Sequence, residues 1–239
     1  MLRSDVLRVV VSEFVGTSLL LAAVVGSGIM GDRLSGGNVA IALLANSVAT
    51  GAALVVLILT FGPISGAHFN PAVSLADATQ GGLGWADAGR YVIAQVLGAF
   101  VGVAIADLMF AEPIFAVSQH VRSGLPLAFS EFVATFGLLA VIWSCSRRRS
   151  AIVPFAVGAY IMAAYWFTAS TSFANPAVTV ARAATNTFTG IRPADVPAFW
   201  IAQALGATAA TMLFRWLVPA QPKNIVVPHQ DRNQWSNHV

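Results

Sequence analysis

The chain has 239 residues, 57% of them hydrophobic and only 10% charged, with a mean hydropathy of +0.74. Soluble domains carry about 25% charged residues, so this composition excludes an ordinary soluble enzyme, a disordered chain and a charged nucleic-acid binder. The net charge of +3 sits in short clusters between long apolar runs, which reads as membrane topology and not as a nucleic-acid surface.

A helix crossing the hydrocarbon core needs roughly 20 mostly apolar residues. Phe14–Gly31 is the first charge-free run. It lacks a small-residue cleavage site and follows Glu13, so it is expected to be retained as a span. Leu34–Ala76 is long enough for a second span plus a surplus apolar piece holding Asn70-Pro71-Ala72. Tyr91–Ala106 and Phe132–Ser146 give spans three and four. Ala151–Ala181 again exceeds one span, and its surplus holds Asn175-Pro176-Ala177. Val196–Phe214 is the sixth span, and 219–239 reads as a polar cytoplasmic tail. The expectation is an all-α membrane protein of six transmembrane helices plus two re-entrant half-helices.

Basic residues set the orientation. With a cytoplasmic N-terminus, the inside carries Arg3, Arg8, Arg90, Arg147, Arg148, Arg149, Arg215, Lys223 and Arg232. The outside carries Arg33, Arg122, Arg182 and Arg192. Nine against four places both termini inside.

Three signals occur twice in the same order. Glu13-Phe14-Val15-Gly16-Thr17 returns as Glu131-Phe132-Val133-Ala134-Thr135, and Asn70-Pro71-Ala72-Val73-Ser74 as Asn175-Pro176-Ala177-Val178-Thr179. Ile93-Ala94-Gln95-Val96-Leu97-Gly98-Ala99 returns as Ile201-Ala202-Gln203-Ala204-Leu205-Gly206-Ala207. Three crossings per unit force the second copy to enter from the opposite face. Residues 1–218 are therefore read as one domain of two inverted three-span repeats, about 9–110 and 127–218. Inverted repeats place their sites at the bilayer midplane, on discontinuous helices.

Asparagine is a preferred N-cap, and proline suits the first helical turn. Each Asn-Pro-Ala is thus a helix start inside the membrane. Gly62, Pro63 and Gly66 supply an irregular approach to the first, tolerated only where it is buried or lines a water-filled path. Two half-helices meeting N-terminus to N-terminus present about half a positive charge each. They would repel cations while Asn70 and Asn175 offer N–H donors to a neutral solute.

On Ser65-Gly66-Ala67-His68-Phe69-Asn70-Pro71-Ala72-Val73, the second Asn-Pro-Ala and the paired Glu-Phe and Ala-Gln signals, residues 9–218 resemble the major intrinsic protein family, the aquaporins and aquaglyceroporins. The resemblance implies a homotetramer with one pore per protomer. It also implies a four-residue constriction, whose positions carry over to Thr50, Ala163, Ser172 and Val178. Here the chain departs from the family, most of whose members have arginine after the second motif where Val178 stands. Water-selective members pair that arginine with aromatic and histidine side chains, which are missing here. The site should be wider and less strongly donating, with hydroxyls at Thr50 and Ser172. Arg182, one turn beyond Val178, could reach the pore mouth, snorkel to headgroups or pair with an acid. The run Ala177–Ile191 further resembles bacterial members associated with arsenic resistance, implying passage of uncharged trivalent metalloid hydroxides.

Glu13 and Glu131 are intramembrane carboxylates, costly unless satisfied. The resemblance implies that they accept hydrogen bonds from the re-entrant backbone. His68 is expected to line the inner vestibule, and Asp107 to be solvated near the outer end of span three. Trp85, Trp143, Trp166, Trp200 and Trp216 fall near span ends, where interfacial anchors belong. The single Cys145 rules out an internal disulfide and reads as inert packing. No phosphate loop, metal cluster or nucleophile elbow is visible, so neither an enzyme, a metal nor a cofactor is expected.

The reading is a passive channel for small uncharged solutes: glycerol-like polyols, metalloid hydroxides such as arsenous acid, and water. Its partners are those solutes and the lipid bilayer of the cell membrane, with no nucleic acid. One alternative is a water-selective pore narrowed by Arg182. Another is a proton-coupled transporter using Glu13 and Glu131.

Overall fold

The computed structural model describes residues 3–219. Lys223, Arg232 and the expected tail from residue 220 lie outside the described residues, as does the side chain of Arg3. Eight α-helices follow in order: α1 (Arg3–Leu34), α2 (Val39–Ser65), α3 (Pro71–Thr79), α4 (Trp85–Met109), α5 (Leu125–Arg148), α6 (Val153–Phe167), α7 (Pro176–Ala181) and α8 (Val196–Leu217). A 3-10 turn at Ser150–Ile152 leads into α6, and another at Arg182–Ala184 continues α7. Six of these helices are long and apolar enough to cross a membrane. No strand occurs among the described residues.

Local chemistry sets the boundaries. Asn38 caps α2 by accepting hydrogen bonds from the Ala40 and Ile41 N–H groups. The same helix stops at Gly66, whose φ of 85° belongs to the left-handed region that closes helices. Asn70 and Asn175 cap α3 and α7, each followed by proline in the first turn.

The bundle packs as two groups. α1 lies on α2 and α4, α5 lies on α6 and α8, and α2 meets α6 between them. The short α3 and α7 both wedge against α4 and α8. In lipid, helices associate by close approach over small residues. A Cβ on Gly98 would come within 2.4 Å of the Phe14 carbonyl oxygen, and one on Gly206 within 2.4 Å of the Phe132 oxygen. The two equivalent contacts, α4 on α1 and α8 on α5, are therefore possible only with glycine. Large apolar side chains such as Leu97, Ile105, Phe129 and Leu205 face outward, as a lipid-facing surface requires.

Two sequence expectations need correction. Asp107 is fully buried, because the segment after α7 folds over it and Thr185 Oγ1 donates to its Oδ1 at 2.9 Å. Trp143 is also buried, its Nε1–H donating to Thr211 Oγ1 at 3.1 Å between α5 and α8. Trp85, Trp166, Trp200 and Trp216 are exposed.

Candidate functional site

The half-helix starts are tied crosswise. Asn70 Nδ2 donates to the Ala174 carbonyl at 2.8 Å, and Asn175 Nδ2 donates to the Phe69 carbonyl at 2.8 Å. Their Oδ1 atoms accept the cap hydrogen bonds, Asn70 from Ala72 N and Asn175 from Ala177 N and Val178 N. An amide has two N–H donors, so each asparagine spends one on the opposite half and keeps one. Pro71, Ala72, Pro176 and Ala177 form the first turns behind them.

The chain enters each junction in a costly conformation. Ala67, Phe69, Thr171, Ser172 and Ala174 all have positive φ, a strain of about 1–3 kcal/mol apiece for non-glycine residues. Two buried carboxylates hold it. Glu13 accepts from Ser65 Oγ (2.6 Å), His68 N (3.0 Å), Phe69 N (2.7 Å) and Gln95 Nε2 (2.8 Å). Glu131 accepts from Phe173 N (2.8 Å), Ala174 N (2.8 Å) and Gln203 Nε2 (2.6 Å). The same glutamines reach Ser74 Oγ and Thr179 Oγ1, so the second network copies the first.

A cavity of about 110 Å³ runs past both asparagines. That is well below the ~300–1,000 Å³ of drug-sized pockets, and fits a path for small molecules. Its apolar lining comes from aliphatic side chains such as Leu20, Val24, Leu54, Ile58, Val157 and Ile161, and its polar lining includes Asn70, Asn175 and His68. His68 lines it with Nδ1 3.0 Å from Ser74 Oγ and its ring edge-on to Tyr91.

Of the four constriction positions, Thr50, Ser172 and Val178 line this cavity. Ala163 does not; it is exposed on the far face of α6. The cavity residue is Tyr165, whose hydroxyl is 3.2 Å from Thr50 Oγ1. A two-residue offset turns a helix by about 200°, so carrying positions over by spacing chose the wrong face. The i, i+4, i+8 run Val157, Ile161, Tyr165 held the needed signal. The Ser172 hydroxyl is buried without a hydrogen-bond partner among the described residues.

Arg182 also lines the cavity, only 2% exposed. Its Nε–H donates to the Thr189 carbonyl, and its guanidinium carbon stands 3.4 Å from the centroid of the Phe173 ring. Among the described residues, no carboxylate lies within salt-bridge distance and no hydrogen bond uses its terminal nitrogens. A second arginine went unnoticed as a site residue. Arg122, from the α4–α5 connection, sits 5.1 Å from the same ring, with Nε–H donating to the Gly190 carbonyl at 2.8 Å. No local pattern marks it, because only the folding-back of that connection brings it there. Nearby, burial and the Arg122 and Arg182 charges hold the His120 imidazole below its ordinary value, against the opposing charge of Asp32.

The family model described as "Major intrinsic protein" matches residues 1–172 and 149–239. The chain is 58% identical over 219 residues to aquaglyceroporin AqpS of Rhizobium meliloti (strain 1021), covering 91% of this chain and 94% of that protein. It is 42% identical over 115 residues to the probable aquaporin NIP7-1 of Arabidopsis thaliana, covering 45% of this chain and 41% of that protein. The X-ray structure of the aquaglyceroporin from Plasmodium falciparum superposes with a TM-score of 0.71 at 25% identity, covering 90% of this chain and 98% of that one.

Proposed function

The chain belongs to the major intrinsic protein family, and on that footing we propose how its pore selects solutes. It is a multi-pass membrane channel for water and small neutral solutes such as glycerol, and not an enzyme. The observation carrying the finer reading is the mixed lining: aliphatic side chains together with hydroxyl, amide and guanidinium groups. A polyol lays its CH groups on the first and its hydroxyls on the second. A neutral trihydroxide of a metalloid, such as arsenous acid, satisfies the same polar groups from a compact pyramid. Asn70 and Asn175 orient the solute with their remaining N–H groups. The facing N-termini of α3 and α7 raise the potential there and reject cations. Thr50, Tyr165, Ser172 and Val178 set width and polarity, and His68 lines the cytoplasmic vestibule. Glu13 and Glu131 are structural acceptors.

Arg182 supports a second reading within the same family, a pore narrowed toward water, since its guanidinium occupies the cavity beside Val178. Stopped-flow measurement on proteoliposomes separates the two. The broader reading expects glycerol and arsenous acid to cross well above protein-free vesicles; a water-only pore leaves both at background. The remaining assignments complete the proposal: both termini cytoplasmic, the cell's inner membrane, a homotetramer, and inverted repeats at about 9–110 and 127–218 followed by a cytoplasmic tail.

A further inference from the structure

We infer that the mouth beside Arg182 is a binding site for a small planar monoanion of the nitrate class, which rests there and closes the pore. The position on the outside of the membrane rests on the orientation proposed above. Two guanidinium groups share the Phe173 ring, Arg182 at 3.4 Å and Arg122 at 5.1 Å from its centroid. Arg182 is 2% exposed, and neither arginine has a carboxylate within salt-bridge distance among the described residues. A buried charge without a counter-charge is costly.

The acids nearby are committed elsewhere. Glu131 spends both oxygens on Phe173 N, Ala174 N and Gln203. Asp195 is held by the Arg192 side chain and the Arg122 backbone N–H. Asp32 faces a neighbouring cavity with Arg33 and Glu112, themselves paired at 2.7 Å.

A cavity of about 190 Å³ is lined by both arginines, its polar lining completed by Asn46, His120 and Thr171. Arg182 lines both this cavity and the pore, so an ion held here stands across the entrance. Among the described residues, the Arg122 guanidinium donates only to carbonyls: Gly190 at 2.8 Å, Ser170 at 3.4 Å and Phe188 at 3.5 Å. Arg182, among the described residues, donates through Nε alone. A planar anion would take the terminal N–H donors, the fork geometry for which guanidinium is suited. The anion stops here because only here do two guanidiniums line one cavity; the pore beyond offers isolated N–H and O–H groups among aliphatic side chains, too few to replace its water.

The test is glycerol efflux from oriented proteoliposomes in sodium nitrate or sodium gluconate of equal ionic strength and osmolarity. External nitrate should lower glycerol flux, to about half when its concentration equals the dissociation constant. Internal nitrate should not lower it. Arg182→Gln and Arg122→Gln should bring the nitrate-to-gluconate flux ratio to one. A second readout does not need flux: nitrate should raise the melting temperature of the detergent-solubilised protein over gluconate, and less so in either variant. No glycerol flux in gluconate would count against the channel reading alone, and the melting shift would still judge the anion site. Equal wild-type flux and equal melting in both salts, or inhibition unchanged in both variants, would overturn the inference.

Discussion

Val178 and Arg182 line the same cavity one helical turn apart, the valine at the start of α7 and the arginine where α7 tightens into a 3-10 turn. The family's usual arginine position is thus aliphatic, while a guanidinium enters from the next turn and is anchored on Thr189 and Phe173. Replacing Arg182 with Ala removes the stem and the donors without disturbing the caps on Asn175. Glycerol permeability should rise several-fold relative to water. Val178→Arg should do the reverse, lowering glycerol far more than water, because glycerol must satisfy several donors while squeezing past. Equal loss of both solutes with normal assembly would mean simple blockage.

The buried glutamates serve the backbone. Glu131→Ala would strand three donors, at about 1–3 kcal/mol for each buried unpaired group, and release a segment in which Thr171, Ser172 and Ala174 are strained. Melting temperature and assembled yield should fall together, with flux per folded protein insensitive to a pH gradient. A well-folded Glu131→Gln variant that lost proton-coupled uptake would show a relay instead.

How much of this was legible in the sequence depends on range. Charge-free runs marked every long helix, and Asn70-Pro71 and Asn175-Pro176 marked both half-helix starts, because caps and spans are local properties. Helical period pointed to Tyr165, yet counting from Asn175 chose Ala163, since a re-entrant segment separates the two and its path is not regular. Asp107 looked solvated because a span end normally is; the 185–189 segment that covers it comes from the other half. Arg122 was invisible as a site residue for the same reason, being placed by a connection that returns over the bundle.

The α8 entry should be acid-sensitive. Burial pushes the Asp195 carboxyl up, but hydrogen bonds from the Arg192 side chain and the Arg122 N–H, with the Arg192 charge, hold it below the usual carboxylate range. A depressed folded-state value contributes stability that is present above the ordinary carboxylate pKa and lost as pH falls from there through the lower folded-state value. The wild-type melting temperature should drop on acidification through that range. Asp195→Asn should melt a few degrees lower at pH 7 and show a flatter decline. An identical acid profile in both proteins would remove Asp195 from the account.

Sidedness gives a separate check on the inverted halves. In a Cys145→Ser background, Ser123→Cys lies on the exposed α4–α5 connection and Ser150→Cys on the exposed turn before α6. An impermeant thiol reagent applied to intact cells should label the first and spare the second. The opposite pattern would invert the proposed orientation.

Passage of neutral solutes beside Asn70 and Asn175 down their own gradient, with charge refused, is what the proposed function requires. It is tested most directly by glycerol flux into proteoliposomes carrying an internal pH dye, with and without an imposed pH gradient. Glycerol entry should scale with its own gradient, ignore the pH gradient and leave the dye unchanged, whereas Asn175→Asp, which puts a carboxylate where α3 and α7 meet, should admit cations or fail to assemble. Saturable glycerol uptake that follows the pH gradient, or an Asn175→Asp protein matching wild type in flux, ion leak and assembly, would contradict it.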